Sequence, residues 1–397
     1  MLKLIVKNFG VLKDINIELS KTNLFIGDNG SGKSTLAKLI TVITDFTLDE
    51  EEIIPRLKDF NINFLNDKCF IQLMEKDKLI IEITGLNINF SSIRKETLKK
   101  LKEIELQSIE IDNLINEIED KGNLNSLIKR TTESDKDFAN NLIKLIKNRK
   151  SKNKSTYADE SINLFKSKYI PAERNLISIF NQSLSNMISA EIPLPKTLLK
   201  FSADYNSARN NINELDILGL KYKNENAQDR VYYENGNSLA LEHSSSGIQS
   251  ALPLYLTLKY FATKHKNIII EEPELNLYPK SQIDTVKFMI ENRGESSLSI
   301  MTHSPYILSI LNVLLFAYKA SNKNDTLKEK ISAIIPKEQQ INPDEFSAYI
   351  IKNGISKSIK GKSTGMIQSN VIDDISDMLD DTYNELMEIY REFKNDK

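Results

Sequence analysis

A stretch of nine residues with the spacing of a phosphate-binding loop constrains this chain more than any other feature. Residues 27–35 read Gly-Asp-Asn-Gly-Ser-Gly-Lys-Ser-Thr, with glycine first, Gly-Lys at the sixth and seventh positions and a hydroxyl residue next. Residues 22–26, which end in Leu-Phe-Ile, predict a short buried strand before the loop, and residues 36–40 predict the start of a helix after it. A strand, a glycine loop and a helix N-terminus form a cradle of backbone N–H groups for phosphate. The pattern therefore predicts an α/β fold that binds a nucleoside triphosphate.

The positions of this loop have separate predicted roles. Lys33 is expected to reach the β- and γ-phosphates, and the Ser34 hydroxyl is expected to hold Mg²⁺. The predicted nucleotide contacts are Asn29, Gly30, Ser31, Gly32, Lys33, Ser34 and Thr35.

Two later apolar runs end in groups that can complete a hydrolytic site. Residues 268–270 are three isoleucines, followed directly by Glu271 and Glu272. Because α/β sheets place acids at strand ends beside a bound phosphate, we expect Glu271 to hold the metal ion, through water. Glu272 is expected to orient or deprotonate the attacking water. His303 follows the apolar residues 298–301 and is expected to hydrogen-bond the γ-phosphate and sense its presence, although a lone histidine is more often structural.

A serine-rich segment precedes another predicted helix. Residues 244–250 read Ser-Ser-Ser-Gly-Ile-Gln-Ser, and residues 251–261 are predicted to be helical. A Ser-Gly turn at a helix N-terminus can bind an anion. Taken alone, the same residues are also an ordinary N-cap cluster.

The order of these segments resembles the ABC-type ATPase heads of the SMC, Rad50 and RecF group. That order is phosphate loop, helical insertion, Ser-Gly signature, acidic strand and histidine. Within the group, three segments are most similar to the OLD-like ATPases: Tyr-Ile-Pro-Ala-Glu-Arg-Asn at 169–175, Glu-Glu-Pro-Glu-Leu-Asn-Leu-Tyr-Pro at 271–279 and Thr-His-Ser-Pro at 302–305. Many OLD-like ATPases serve in bacterial phage-defence modules such as Septu, PARIS and retron-linked systems.

The resemblance implies an ABC-type P-loop NTPase head, a mixed sheet with flanking helices, that binds ATP and Mg²⁺. It also implies a homodimer or higher homo-oligomer, in which Ser246 and Gly247 of one copy close over ATP held by another. A sensor or regulatory ATPase acting on a separate effector, such as a nuclease, is the expected function. No TOPRIM nuclease is expected, because residues 304–397 show no Asp-x-Asp at a strand end.

Some residues depart from the pattern of the wider group. Glu271 stands where Asp is usual, and the signature lacks paired glycines. The glutamine loop has no secure position: Gln72 is one candidate, and Glu173 with Arg174 is another.

The composition changes along the chain and predicts four parts. Residues 1–90 are expected to form an ATPase lobe with the phosphate loop, and residues 166–370 the remainder of the head. Residues 91–165 are polar, rich in Lys and Glu, and predict a helical arm or insertion; an ordinary amphipathic helix packed on the head is the alternative. Residues 371–397 predict an acidic C-terminal helix.

An ATPase of DNA repair or chromosome maintenance, like RecF or SMC, is the second hypothesis. The basic run at 144–154 is able to contact phosphates, although such runs are usually solvated faces. The formal net charge of −2 means that any contact with nucleic acid must come from a local patch. A third hypothesis, the nucleotide-binding subunit of a transporter, is disfavoured because the insertion at 91–165 does not suit a membrane-docking subunit.

Composition also predicts where the protein works. Cys69 is the single cysteine, which excludes a disulfide framework, and three histidines are too few to build a zinc site with it. No signal-peptide profile and no run of 18 apolar residues is present, so a cytoplasmic protein without a membrane segment is expected.

Overall fold

Three strands precede the first helix, and the third is the strand predicted at 22–26. The computed structural model describes residues 2–121, 162–180, 189–191 and 193–368. The elements before residue 122 are β1 (Leu2–Phe9), β2 (Leu12–Leu19), β3 (Thr22–Ile26), α1 (Lys33–Ile43), α2 (Glu50–Asp59), β4 (Phe70–Glu75), β5 (Lys78–Thr84), β6 (Asn87–Phe90) and α3 (Ser92–Lys121). The later elements are β7 (Ser167–Ile170), α4 (Asn175–Phe180), α5 (Lys196–Asn211), β8 (Glu214–Ile217), β9 (Leu220–Glu225), β10 (Gln228–Tyr232), β11 (Ser238–Ala240), α6 (Ser246–Phe261), β12 (Asn267–Glu271), α7 (Pro279–Asn292), β13 (Ser297–Thr302), α8 (Pro305–Ser321), α9 (Asp325–Ser332), β14 (Phe346–Lys352) and β15 (Ile355–Ser358).

Within these ranges, one mixed sheet of eleven strands runs in the order β6-β5-β4-β1-β2-β15-β14-β3-β13-β12-β7. Strands β14, β3, β13, β12 and β7 are parallel to one another. Strands β2, β1, β4, β5 and β6 form an antiparallel half. Strand β15 joins the halves, because it pairs antiparallel with β14 and parallel with β2. The α/β fold with a mixed sheet and flanking helices is therefore confirmed.

The register of the parallel strands brings three chain segments to one edge. Thr302 at the end of β13 lies opposite Ile26 at the end of β3, and Glu271 at the end of β12 lies opposite Met301. β3 leads into the glycine loop, β12 into Glu272 and β13 into the 303–305 segment. Residues that are far apart in sequence therefore emerge side by side.

The parallel strands are buried on both faces because helices cover each side of the sheet. Leu24 and Ile270 pack into a core that includes residues of α6, α7 and α8. Phe25 and Ile269 point the other way, into a core that includes residues of α1 and α2. Successive side chains on a strand face opposite sides, so a strand covered on both sides is apolar at every position. This explains the three consecutive isoleucines at 268–270.

A second, smaller sheet lies beside these elements in the chain. β8 to β11 form a four-stranded antiparallel sheet, in which β10 and β11 are joined by a turn at Asn235-Gly236, the dipeptide that favours a tight hairpin turn. β4 and β5 form a hairpin of the large sheet. The helix that was predicted to begin at residue 251 begins at Ser246, so the Ser-Gly segment lies in its first turn and does not precede it.

Part of the predicted arm is present as α3. Residues 122–161, including the basic run at 144–154, and the acidic segment at 371–397 lie outside the described ranges. The large sheet takes strands from both 1–90 and 166–370, which were expected to be parts of one head. No helix in the described ranges is long and apolar enough to cross a membrane.

Candidate functional site

The loop between β3 and α1 has the backbone form of an anion cradle. Gly30 and Gly32 adopt φ of +76° and +108°, a region that other residues enter only with strain. A Cβ on Gly27 would lie 2.1 Å from the carbonyl oxygen of Ile351, so this position has no room for a side chain. No side chain caps the N-terminus of α1, and its first N–H groups are therefore available to a ligand.

Lys33 is buried and folds back onto its own loop. Its Nζ donates to the carbonyl oxygens of Gly27 at 2.7 Å and Asp28 at 2.9 Å. Burial lowers the pKa of Lys33, while the nearby carboxylates, Glu272 foremost, act against that shift. The ammonium therefore lies between the glycine loop and the acidic residues, where a phosphate would meet it.

Glu271 lies at the end of β12 and is almost completely buried. Its Oε1 accepts a hydrogen bond of 2.8 Å from the Tyr169 hydroxyl, and the nearby Ser34 side chain is among the influences that lower the pKa of this carboxylate. Burial raises the pKa of Glu271, and the charge of Lys38 is among the influences that lower it. A buried carboxylate beside a hydroxyl fits Mg²⁺, which takes oxygen ligands and binds through one or two carboxylates plus phosphate.

Glu272 and His303 meet at the same edge of the sheet. Glu272 adopts φ of +44°, which turns its side chain out of the line of β12. Its Oε1 lies 3.1 Å from Nε2 of His303, and Nδ1 of His303 lies 3.0 Å from the carbonyl oxygen of Gly27. Because both oxygens can only accept, both contacts are hydrogen bonds when each ring nitrogen carries a proton. The imidazole therefore connects the phosphate loop to the carboxylate.

Glu274 is a site residue to which the sequence analysis gave no role. Its Oε1 accepts hydrogen bonds of 2.7 Å from the Thr302 hydroxyl and of 2.7 Å from the backbone N–H of His303. Among the described residues, its Oε2 is buried without a hydrogen-bond partner. Glu274 thus holds the end of β13 and the start of the 303–305 segment against the chain that follows Glu272.

Arg174 is also central to the site, and its side chain is fully buried. Its guanidinium donates to the carbonyl oxygens of Pro171 at 3.0 Å, Ser250 at 3.0 Å, Glu271 at 2.8 Å and Glu272 at 2.7 Å. The guanidinium does not serve as a glutamine-loop group, because its bonds are committed to main-chain carbonyls.

The other candidate for the glutamine loop is wrong for a different reason. Gln72 lies inside β4, between Ile5 of β1 and Glu82 of β5, and donates to the Glu82 carboxylate at 3.0 Å. A residue in the middle of a paired strand is not on a loop. The pattern of its neighbours, which alternate as in a strand, was the available signal.

Ser246 and Gly247 lie at the N-terminus of α6, where Ser246 is exposed and no side chain caps the helix. A Cβ on Gly247 would lie 3.1 Å from the carbonyl oxygen of Asn276. The Asn276 amide in turn donates to the Ser250 hydroxyl at 3.0 Å. The Ser246-Gly247 segment therefore lies against Asn276, which follows Glu271 and Glu272 in the chain. The phosphate loop, Glu271, Glu272 and His303 come together in one cluster.

Two curated proteins resemble parts of this chain. Endonuclease GajA of Bacillus cereus is 26% identical over 340 residues, which cover 76% of this chain and 55% of that protein. The probable ATP-dependent transporter slr0075 of Synechocystis sp. is 31% identical over 111 residues, which cover 27% of this chain and 43% of that protein. The chain thus spans about half the length of the curated relatives it matches.

Solved structures of SMC heads are also similar. The SMC head domain from Thermotoga maritima has a TM-score of 0.36 at 13% identity, over 90% of this chain and 97% of that one. The Smc head domain with a coiled coil and joint from Pyrococcus yayanosii has a TM-score of 0.38 at 10% identity, over 95% of this chain and 100% of that one. These TM-scores are too low to carry a further conclusion.

A protein family also matches most of the chain. The family described as AAA ATPase domain matches residues 1–308, which include the phosphate loop, both carboxylates and His303. This description implies ATP hydrolysis and agrees with the expected ATPase head. The chain belongs to the AAA ATPase domain family.

Proposed function

We propose that this chain hydrolyses ATP with Glu272 as the catalytic base and His303 as the group that registers the γ-phosphate. The observation that carries the proposal is the position of the imidazole, 3.0 Å from the Gly27 carbonyl oxygen and 3.1 Å from the Glu272 carboxylate. A side chain that touches both the phosphate loop and the base is placed to connect nucleotide binding to water activation.

The remaining roles follow from the same cluster. Backbone N–H groups of residues 29–35 would hold the phosphates, and Lys33 would exchange its bonds to loop carbonyls for bonds to phosphate oxygens. Ser34 and Glu271 would hold Mg²⁺, which when bound neutralises phosphate charge. Tyr169 would keep the Glu271 carboxylate oriented through its hydrogen bond of 2.8 Å.

Release from His303 would free Oε1 of Glu272 to act on water. With both ring nitrogens protonated, the imidazole donates a hydrogen bond to this oxygen and occupies it. A γ-phosphate oxygen is a competing acceptor for the same N–H. When the imidazole turns to the phosphate, the carboxylate is free to accept a proton from water. This exchange would make hydrolysis depend on a correctly placed triphosphate.

We also propose that two copies of the chain complete each other's sites, with ATP between them. The N-terminus of α6, with Ser246 and Gly247, is exposed and uncapped by side chains, so it can accept phosphate oxygens from a partner copy. The resemblance to ABC-type heads supports this arrangement. Opening and closing of the pair would follow the nucleotide state, because the γ-phosphate binds only the closed form well.

Mixing two inactive variants tests the shared site. Lys33→Ala removes the phosphate side and Ser246→Arg blocks the signature side, so each variant alone should hydrolyse almost no ATP. A mixed dimer retains one intact site, so random mixing should restore turnover, to about a quarter of the wild-type value when the two sites act independently and to less when they are coupled. Steady-state ATP hydrolysis at equal total protein is the measurement, and two Lys33→Ala preparations mixed together are the control. If the mixture stays inactive while both variants form mixed assemblies, the sites are not shared.

We further propose that the ATPase is the cytoplasmic sensor or regulatory subunit of a bacterial anti-phage system with a separate effector. The resemblance to OLD-like ATPases supports the defence role. The similarity to a protein named as an endonuclease supports a nuclease as the effector class. The proposed ATP-driven closure would give such a subunit two states for an effector to distinguish.

Capture from the native host tests this role. Tagged Glu272→Gln protein, retained with ATP and Mg²⁺, is expected to hold a stoichiometric partner protein with nuclease activity, and the Lys33→Ala protein is expected to hold less of it. Identification of the retained proteins by mass spectrometry is the measurement. Recovery of nuclease-sensitive DNA without a protein partner would instead favour the repair or chromosome-maintenance function.

A further inference from the structure

We propose that Arg174 is a positioning residue that couples the signature helix α6 to the catalytic carboxylate of the same head. The inference rests on the proposed function, because it concerns how Glu272 is held and how a partner copy influences it. When the nucleotide of the other copy binds to α6, Arg174 would pass that change to Glu272 of the same head.

The bonds of Arg174 join three separate segments at one point. Two of its four carbonyl partners belong to Glu271 and Glu272, one belongs to Pro171 after β7, and one belongs to Ser250 in α6. The shortest is the bond to Glu272, whose φ is +44°. A non-glycine residue in that region is strained and persists only when its surroundings hold it. The guanidinium is part of that support.

A second connection runs from α6 to the same segment. Ser250 accepts a hydrogen bond from the Asn276 amide at 3.0 Å through its hydroxyl, while its carbonyl oxygen accepts from Nε of Arg174. A Cβ on Gly247 would lie 3.1 Å from the carbonyl oxygen of Asn276, so α6 meets Asn276 at both Gly247 and Ser250. A small shift of α6, caused by a nucleotide on Ser246 and Gly247, would therefore move the main chain that carries Glu272.

Another buried arginine shows what a purely structural role looks like. Arg94 is 1% exposed and donates to the carbonyl oxygens of Ile43, Asp45 and Leu48. Burial lowers the pKa of both Arg94 and Arg174 to about 10. The two arginines match in burial and in donating to main-chain carbonyl oxygens. They differ in that the carbonyl partners of Arg94 belong neither to Glu271 and Glu272 nor to α6.

The paired variants Arg174→Lys and Arg94→Lys test the inference. Lysine keeps the charge but cannot supply the planar fork of donors, so each variant should lower the unfolding temperature. Arg174→Lys is expected to reduce kcat by about 10²-fold, as a misplaced catalytic group does, with little change in ATP affinity. Arg94→Lys should keep wild-type kcat per folded molecule. Equal kcat per folded molecule in the two variants would overturn the proposal.

The coupling has its own readout. If α6 reports to Glu272 through Arg174, wild-type hydrolysis should be cooperative in ATP, and Arg174→Lys should lower the Hill coefficient toward about 1 while Arg94→Lys leaves it unchanged. An unchanged Hill coefficient in Arg174→Lys would reject the coupling. Light scattering with ATP shows separately whether the wild-type chain dimerises. If the chain stays monomeric, the proposed shared site is wrong. The kcat of Arg174→Lys would still show whether Arg174 positions Glu272.

Discussion

Glu272→Gln is expected to bind ATP with near wild-type affinity and to lose turnover by about 10²- to 10⁴-fold, the usual contribution of a positioned general base. Glutamine has the size of the native side chain and can still contact His303, so the cluster should keep its shape. It cannot accept a proton from water. ATP would then remain bound, and the assembly that ATP holds together should accumulate.

Single-turnover hydrolysis and light scattering with ATP and Mg²⁺ measure the two effects. Glu82→Gln is a suitable control, since Glu82 lies on β5 and pairs with Gln72 within the sheet. Near-normal turnover in Glu272→Gln would show that another carboxylate is the base. A loss of turnover without any change in assembly would support Glu272 as the base and contradict the proposal that ATP holds a dimer together.

The parts of the site that could be predicted are those whose chemistry lies in consecutive residues. The loop at 27–35 requires glycine at fixed positions because backbone N–H groups must approach phosphate closely, and this requirement is visible in sequence. The isoleucines at 268–270 reveal a strand covered on both faces, and the acids after them reveal where it ends. The meeting of Glu272 and His303 was expected because each was predicted to follow a strand of one sheet.

The residues that were missed act through main-chain partners that sequence does not show. Arg174 stood out in the sequence only as part of a resemblance, because its four carbonyl acceptors become neighbours through the tertiary fold. Glu274 is two residues from Glu272, yet its partners are Thr302, which ends another strand, and His303, which follows that strand. The start of α6 was placed five residues late because serine and glycine favour caps and turns, and the burial of Ile248 in the head overrides that preference.

Lys33→Ala is expected to remove measurable ATP binding and, with it, hydrolysis and assembly. Truncating one partner of a buried charge pair costs about 2–5 kcal/mol, which corresponds to a loss of affinity of about 30- to 4,000-fold. The reason for expecting a large effect is the acidic surroundings: Glu271, Glu272, Glu274 and Asp28 all act on the Lys33 ammonium. Without that cation, these carboxylates would repel a triphosphate, because the loop has no other lysine to offset their negative charge.

Equilibrium binding of a fluorescent ATP analogue measures the loss, with Lys100→Ala as the control, because Lys100 is exposed on α3 and pairs with Glu96. The unfolding temperature without nucleotide should be recorded for both variants, since Lys33 also bonds to Gly27 and Asp28 and its loss can loosen the loop. Added Mg²⁺-ATP should raise the unfolding temperature of the wild-type chain and of Lys100→Ala, but not that of Lys33→Ala. Micromolar affinity in a folded Lys33→Ala chain would mean that the glycine loop alone holds the nucleotide. In that case the lysine would serve only to balance the charge of the acidic cluster, and the proposed contact between Lys33 and the phosphates would be wrong.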